Sequence, residues 1–241
     1  MLVSFRQTYG DERWKLYEIL SKDKRMIEFY NMCDLNIQSF HNCSKKTIEY
    51  FNIHNKIKNN KQLIFNNISY TDCISEMKKE LKKVKTAHFF WAQDDSFSDN
   101  NKDVDLNELI EYVKSHKLNF MLNLAHNKEM MWIEYPVEEH KTFNILKAST
   151  ISWSETGRWS MDDSPYICTV DIIDEIYDET FLTKYFDVWK SEEYLNEKYK
   201  KIKLPRYLLD KQIIFKNYNI LGRTTWKAEY AINKLIEKEL L

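Results

Sequence analysis

Apolar positions along the chain follow two periods. Short apolar runs suited to strands alternate with stretches in which apolar residues recur every three or four positions. The first run, Leu2-Val3-Ser4-Phe5, predicts a strand, and residues 7–11, around Gly10, a turn. Residues 12–29 carry Trp14, Tyr17, Ile19, Leu20 and Met26 at helical spacing. Residues 33–40 predict a second strand centred on Leu35-Asn36-Ile37. Ser44 is placed to cap a helix bearing Ile48, Phe51 and Ile57, which Asn59-Asn60 ends. Residues 62–65 predict a short third strand. A helix starting at Thr71 sets Ile74, Met77, Leu81 and Val84 on one face and Lys78, Lys79, Lys82 and Lys83 on the other, a solvated face. It leads into residues 88–93, HFFWAQ, whose aromatic run suits a strand buried on both faces.

Alternation of strand and helix over these elements predicts an α/β fold. The expected architecture is a central mixed, mostly parallel sheet flanked by helices, with right-handed crossovers. The glycine fingerprint of a Rossmann motif or a P-loop does not follow the first strand. The second half is less regular. A helix is predicted over 105–116, with Asp105 and Glu108 as a capping pair and Leu106, Leu109, Ile110 and Val113 on its apolar face. Strands are predicted over 119–124, 166–173 and 212–221, an extended segment over 143–153, and helices over 179–185, 191–200 and 224–240. Residues 154–164 read as a long loop around Gly157, and 125–141 show no clear period.

Composition narrows the function classes. The 36 basic and 37 acidic residues leave a net charge of −1, which points away from nucleic acid and anionic surfaces as partners. Apolar residues make up 43% and charged residues 30%, a globular balance. Cys33, Cys43, Cys73 and Cys168 have no C-x-x-C spacing and read as reduced thiols of a soluble cytoplasmic protein. No transmembrane run and no signal peptide are expected. The histidines lack zinc spacing.

The candidate chemistry begins where the 88–93 strand meets two adjacent carboxylates, Asp94 and Asp95. Ligands of open α/β sheets bind beyond the carboxyl ends of the strands. Two acids there suit a divalent cation with positions left for phosphate oxygens, or they simply end a strand. Arg6 is read as a phosphate or base ligand, or as the partner of an acid such as Asp11. His41 is a surface hydrogen-bonding histidine or a nucleotide contact, and Tyr70 packs or binds ligand. Trp153 and Trp159 flank the 154–158 turn and either stack on sugar faces or anchor the loop. Asp162 and Asp163 are general-base candidates or turn residues. Glu192 suits a helix start whatever its function.

The order LVSFRQTYG, SFHNCS, ISYTDCI and FFWAQDDSFS resembles the nucleotide-binding half of GT-A-fold glycosyltransferases, which ends in an acidic DxD-type motif. The later SPYICTVDIIDEIYDETFL and DVWKSEE are similar to the acceptor half of one sub-group. The resemblance implies a single GT-A-like domain, with residues 1–100 binding the nucleotide-sugar and 101–241 the acceptor. It puts Gln93-Asp94-Asp95 on the DxD positions, with Asp95 holding Mn²⁺ or Mg²⁺ against the donor diphosphate and Asp94 facing the ribose or sharing the metal. Gln93 replaces the first acid. Ser4, Phe5 and Arg6 at the end of the first strand, His41 and Asn42 at the end of the second, and Tyr70 fall where the family holds base and ribose. Glu192, three residues after Trp189, matches a family glutamate and is the candidate catalytic base, with Asp163 next. The family's late metal-binding histidine has no counterpart, because no His follows His140. The implied activity is metal-dependent sugar transfer from a nucleoside-diphosphate-sugar, a UDP-sugar by family habit, to a glycan, lipid or protein hydroxyl. Two other readings stay open. One is a sugar-nucleotide nucleotidyltransferase, which usually carries a glycine-rich, lysine-bearing loop after its first strand, unlike FRQTYGDER. The other is a non-catalytic interaction module.

Overall fold

The computed structural model describes residues 1–9, 14–66, 70–84, 88–93, 96–98, 103–116, 118, 121–124, 133–148, 165–183, 193–195, 197–198, 201–202, 205–216 and 236. In chain order the strands are β1 (Leu2–Tyr9), β2 (Leu35–His41), β3 (Asn60–Phe65), β4 (His88–Gln93), β5 (Ser96–Ser98), β6 (Met121–Asn123), β7 (Ile133–Glu139), β8 (Asn144–Ala148), β9 (Tyr166–Thr169), β10 (Arg206–Leu209) and β11 (Ile214–Lys216). The helices are α1 (Trp14–Lys22), α2 (Lys24–Met32), α3 (Lys45–His54), α4 (Tyr70–Val84), α5 (Leu106–Ser115), α6 (Val170–Ile176) and α7 (Glu179–Thr183).

Among the described residues, nine strands form one sheet in the order β3-β2-β1-β4-β9-β6-β10-β8-β7. The expected α/β architecture is present. β3, β2, β1 and β4 run parallel. Beyond β4 the pairings are antiparallel except β6 with β10. β5 and β11 form a separate antiparallel pair. Alternation along β1 divides the core. Leu2 packs with Met26, Phe29 and Phe90 on the α1–α2 side, while Val3 and Phe5 pack with Ile74 and Met77 of α4 on the other. Among the described residues no helix is long and apolar enough to cross a membrane.

Several sequence expectations are corrected. The 7–11 turn is not observed over residues 7–9. β1 runs on to Tyr9, because the backbones of Gln7 and Thr8 are paired with β2 inside the sheet. The helix expected over 12–29 is two helices. Asp23 separates them and caps α2, accepting from Met26 N at 3.0 Å. An unbroken apolar period hid that N-cap. Ser44 caps α3 as expected, accepting from Thr47 N, but the helix ends at His54, and Asn60 already belongs to β3. The strand expected over 166–173 stops at Thr169, and Val170–Ile176 are helical. The β-branched run there is read wrongly by propensity, since burial of Ile172, Ile173 and Ile176 decides it. Lys78 is not solvated: its ammonium donates to Tyr177 O at 2.6 Å and pairs with Asp174 at 3.1 Å. Glu108 does not complete a capping box. Its carboxylate accepts from Thr142 Oγ1 (2.6 Å), and that oxygen takes the Asp105 N–H (2.9 Å). The structure also adds β7 within 125–141 and β10, neither of which periodicity revealed.

Candidate functional site

The parallel half of the sheet reverses at one point. The chain lays down β1, then β2 and β3 to one side, and returns to the other side of β1 as β4. Where strand order reverses, a crevice opens beyond the carboxyl ends of the two central strands. Tyr9 lies opposite His41 and Gln7 opposite Gln93, so β1, β2 and β4 finish near one level. Asp94 and Asp95 follow Gln93 directly in sequence. Asp94, Asp95, Trp153, Trp159, Asp163 and Glu192 lie outside the described residues, as does the side chain of Tyr70, the first residue of α4.

The remaining candidates fall on β1 and β2. Ser4, Phe5 and Arg6 are in the body of β1 and not at its end. Ser4 is buried, its hydroxyl donating to Asn36 Oδ1. Phe5 is buried among the residues facing α4. Arg6 points the other way, beneath the helical layer of α1, α2 and α3. Its Nε donates to Gln38 Oε1, and its guanidinium carbon lies 5.6, 5.1 and 5.7 Å from the ring centres of Tyr17, Tyr30 and Phe51.

His41 is buried, against the surface alternative, and stacks on Phe65. One ring nitrogen, Nε2, is 2.6 Å from Ser39 Oγ, and the other, Nδ1, meets Cys73 Sγ of α4. Burial pushes the imidazole down to about 4 and the Cys73 thiol up to about 12. At neutral pH the ring is therefore uncharged, with one nitrogen donating and the other accepting. Ser39, His41 and Cys73 form a sealed neutral relay that ties the end of β2 to the first turn of α4. A thiol held protonated is a poor nucleophile. Asn42, next in the chain, is exposed, takes a left-handed φ of 52° and donates its N–H to Phe65 O at 2.9 Å. It turns the chain over the end of β3.

Sequence reading missed the partners of these residues. Thr8, Gln38 and Tyr17 surround Arg6: Gln38 Nε2 donates to Thr8 Oγ1 at 3.1 Å, and the Thr8 and Tyr17 hydroxyls meet. The signal was there as period-two polarity, Ser4-Arg6-Thr8 along β1 and Asn36-Gln38 along β2. It becomes informative only once the register sets Ser4 beside Asn36 and Arg6 beside Gln38.

Among the described residues no three His, Cys, Asp or Glu side chains gather to hold a metal. The donors that suit one are the adjacent carboxylates at 94 and 95, hard oxygen ligands of the kind that Mg²⁺ and Mn²⁺ prefer.

No family model and no curated protein matches the chain. Among the solved structures that match its fold are two that align over nearly the whole of both chains. A 4-diphosphocytidyl-2C-methyl-D-erythritol synthase from Anaerococcus prevotii aligns with a TM-score of 0.54 at 10% identity, covering 99% of this chain and 98% of that one. A UTP-bound UGPase from Acinetobacter baumannii aligns with a TM-score of 0.55 at 8% identity, covering 100% and 94%. At such identities the likeness is one of fold. The expected GT-A-like architecture is present, and this synthase and this UGPase share it.

Proposed function

We propose that this chain is a nucleotidyltransferase, joining the nucleotidyl group of a CTP- or UTP-like triphosphate to a phosphorylated sugar or related alcohol phosphate, with pyrophosphate leaving. The observation that carries this reading is the full-length fold likeness to the synthase and the UTP-bound UGPase. Nucleotidyl transfer relies mainly on positioning and charge stabilisation. The reversal between β1 and β4 is where this fold offers a crevice for both. Asn42 and Tyr70 are the proposed base and ribose contacts, with His41 holding β2 to α4 beneath them. Asp94 and Asp95 are proposed to hold Mg²⁺ or Mn²⁺, which when bound would neutralise phosphate charge. Trp153, Trp159, Asp163 and Glu192 are proposed for the acceptor side.

A second reading, glycosyl transfer from a UDP-sugar, is favoured by one feature: Arg6 to Arg13 lacks a glycine-rich, lysine-bearing loop. The two reactions differ in what they need from Glu192. An acceptor phosphate is largely ionised at neutral pH and is itself the nucleophile, whereas a hydroxyl benefits from a general base. The test is to supply CTP or UTP with a panel of sugar phosphates and Mg²⁺ and follow pyrophosphate, and in parallel to supply UDP-sugars and follow UDP. Pyrophosphate release that survives Glu192→Gln supports nucleotidyl transfer. UDP release alone, lowered about 10²-fold or more by Glu192→Gln, supports glycosyl transfer. Neither product, with no nucleotide-dependent thermal shift, leaves the non-catalytic module.

A further inference from the structure

Asp23 does more than cap α2. A helix N-cap uses one side-chain oxygen, and a neutral serine or asparagine serves. Asp23 is only 3% exposed and uses both of its oxygens. Oδ1 takes the Met26 N–H (3.0 Å) and the Ser98 hydroxyl (2.6 Å), while Oδ2 takes the Ser98 N–H (2.8 Å). The carboxylate therefore grips Ser98 twice, across 75 residues of chain. Two residues on, Arg25 Nη2 donates to Val104 O at 2.6 Å. The first turn of α2 thus holds the chain on both sides of residues 99–102.

Ser98 closes β5, a strand of three residues that lies outside the nine-stranded sheet and pairs with β11. In sequence, β5 is separated from β4 by Asp94 and Asp95 alone. On one flank of that pair, Gln93 is set in the main sheet opposite Gln7. On the other, Ser96 and Phe97 are buried and Ser98 is in the grip of Asp23. From Gln93 to Ser96 the chain reaches at most about 11 Å. Over so short a span between two fixed flanks, a shift of β5 is carried into both acids.

We propose, on the reading that Asp94 and Asp95 hold the divalent cation, that Asp23 is a positioning residue for them: by fixing Ser98 it fixes β5, and β5 sets where the pair leaves the sheet. Cation affinity depends on how the ligands are placed, and loss of a group that orients them lowers it about 10–100-fold.

The experiment is thermal unfolding of the full chain in excess UTP or CTP while Mn²⁺ is raised from zero. The quantity read is the Mn²⁺ concentration that gives half of the nucleotide-dependent rise in midpoint. Asp23→Asn keeps the size of the side chain and a helix cap, but sets an amide NH₂ against the Ser98 N–H. The expected result is a half-point about 10-fold higher than in the wild type. The control is Asp210→Asn. Asp210 grips Asn144 in a similar way, taking its N–H (2.8 Å) and its side-chain amide (2.9 Å). That variant should unfold at a lower temperature with an unchanged half-point, which a merely structural role for Asp23 would share. An unchanged half-point in Asp23→Asn, or an equal rise in Asp210→Asn, overturns the inference and leaves the metal reading standing. A wild-type midpoint that does not respond to Mn²⁺ overturns the metal reading and the inference with it. Should Asp23→Asn fail to fold, Ser98→Ala decides, because it removes the hydroxyl half of the grip: a raised half-point supports the inference, and an unchanged one overturns it.

Discussion

On its α4 face, the β1–β2 pair presents Val3, Phe5 and Ile37 to a dry core, and polarity returns toward the strand ends, at Gln7 of β1 and at the end of β2, where Ser39, His41 and Cys73 satisfy one another without charge. On its opposite face the same two strands present Ser4 with Asn36, Arg6 with Gln38, and Thr8 with Tyr17, a buried polar ladder whose middle rung is a full positive charge. One face gains from burial and the other must be satisfied group by group. The α4 face thus gives the sheet its stability and fixes the strand ends at the crevice. On the other face one donor, Arg6 Nη1, has no hydrogen-bond partner among the described residues.

Breaking the apolar face has the largest expected effect. Phe5→Ala should cost about 3–5 kcal/mol, from lost burial and the cavity left behind. Urea unfolding measures it, and a loss under about 1 kcal/mol would mean that the site collapses and the face is not tightly packed. The polar face should respond less and in a coupled way. Gln38→Leu leaves Arg6 Nε without its acceptor and should cost about 1–3 kcal/mol, most of which Arg6→Met restores in the double variant. Additive losses would show that the two side chains act independently.

A third effect, smaller per pH unit than either substitution, separates the faces by pH. His41 titrates near 4 when folded, against 6.5 ordinarily. Between those values the unfolded chain binds a proton there and the folded chain does not. Stability is therefore highest above 6.5 and falls as pH drops through the window, with a slope of up to about 1.4 kcal/mol per pH unit. In His41→Asn the wild-type-minus-variant difference should bend between those two pH values and be flat above them. A difference that is flat throughout would mean that His41 is not held neutral by burial.

The sequence by itself determined the α/β class, the strand–helix alternation from β1 to β4, the Ser44 cap and the apolar face of α4. These depend on local period and on side chains acting within one turn or one strand. It also set the acidic pair directly after β4. It did not reveal that β1 continues through Gln7 and Thr8, that Asp23 splits a helix, that Val170–Ile176 is helical, or that Lys78 is tied to α6. Each of these turns on a partner distant in sequence: β2 and β4 for Thr8 and Gln7, Ser98 for the Asp23 carboxylate, Asp174 and Tyr177 for Lys78. Arg6 and His41 show the limit most plainly. A polar residue in a strand can face water, a ligand or another buried polar group. Sequence period assigns it a face, but only the pairing of β1 with β2 and the packing of the helices over them decide what that face meets.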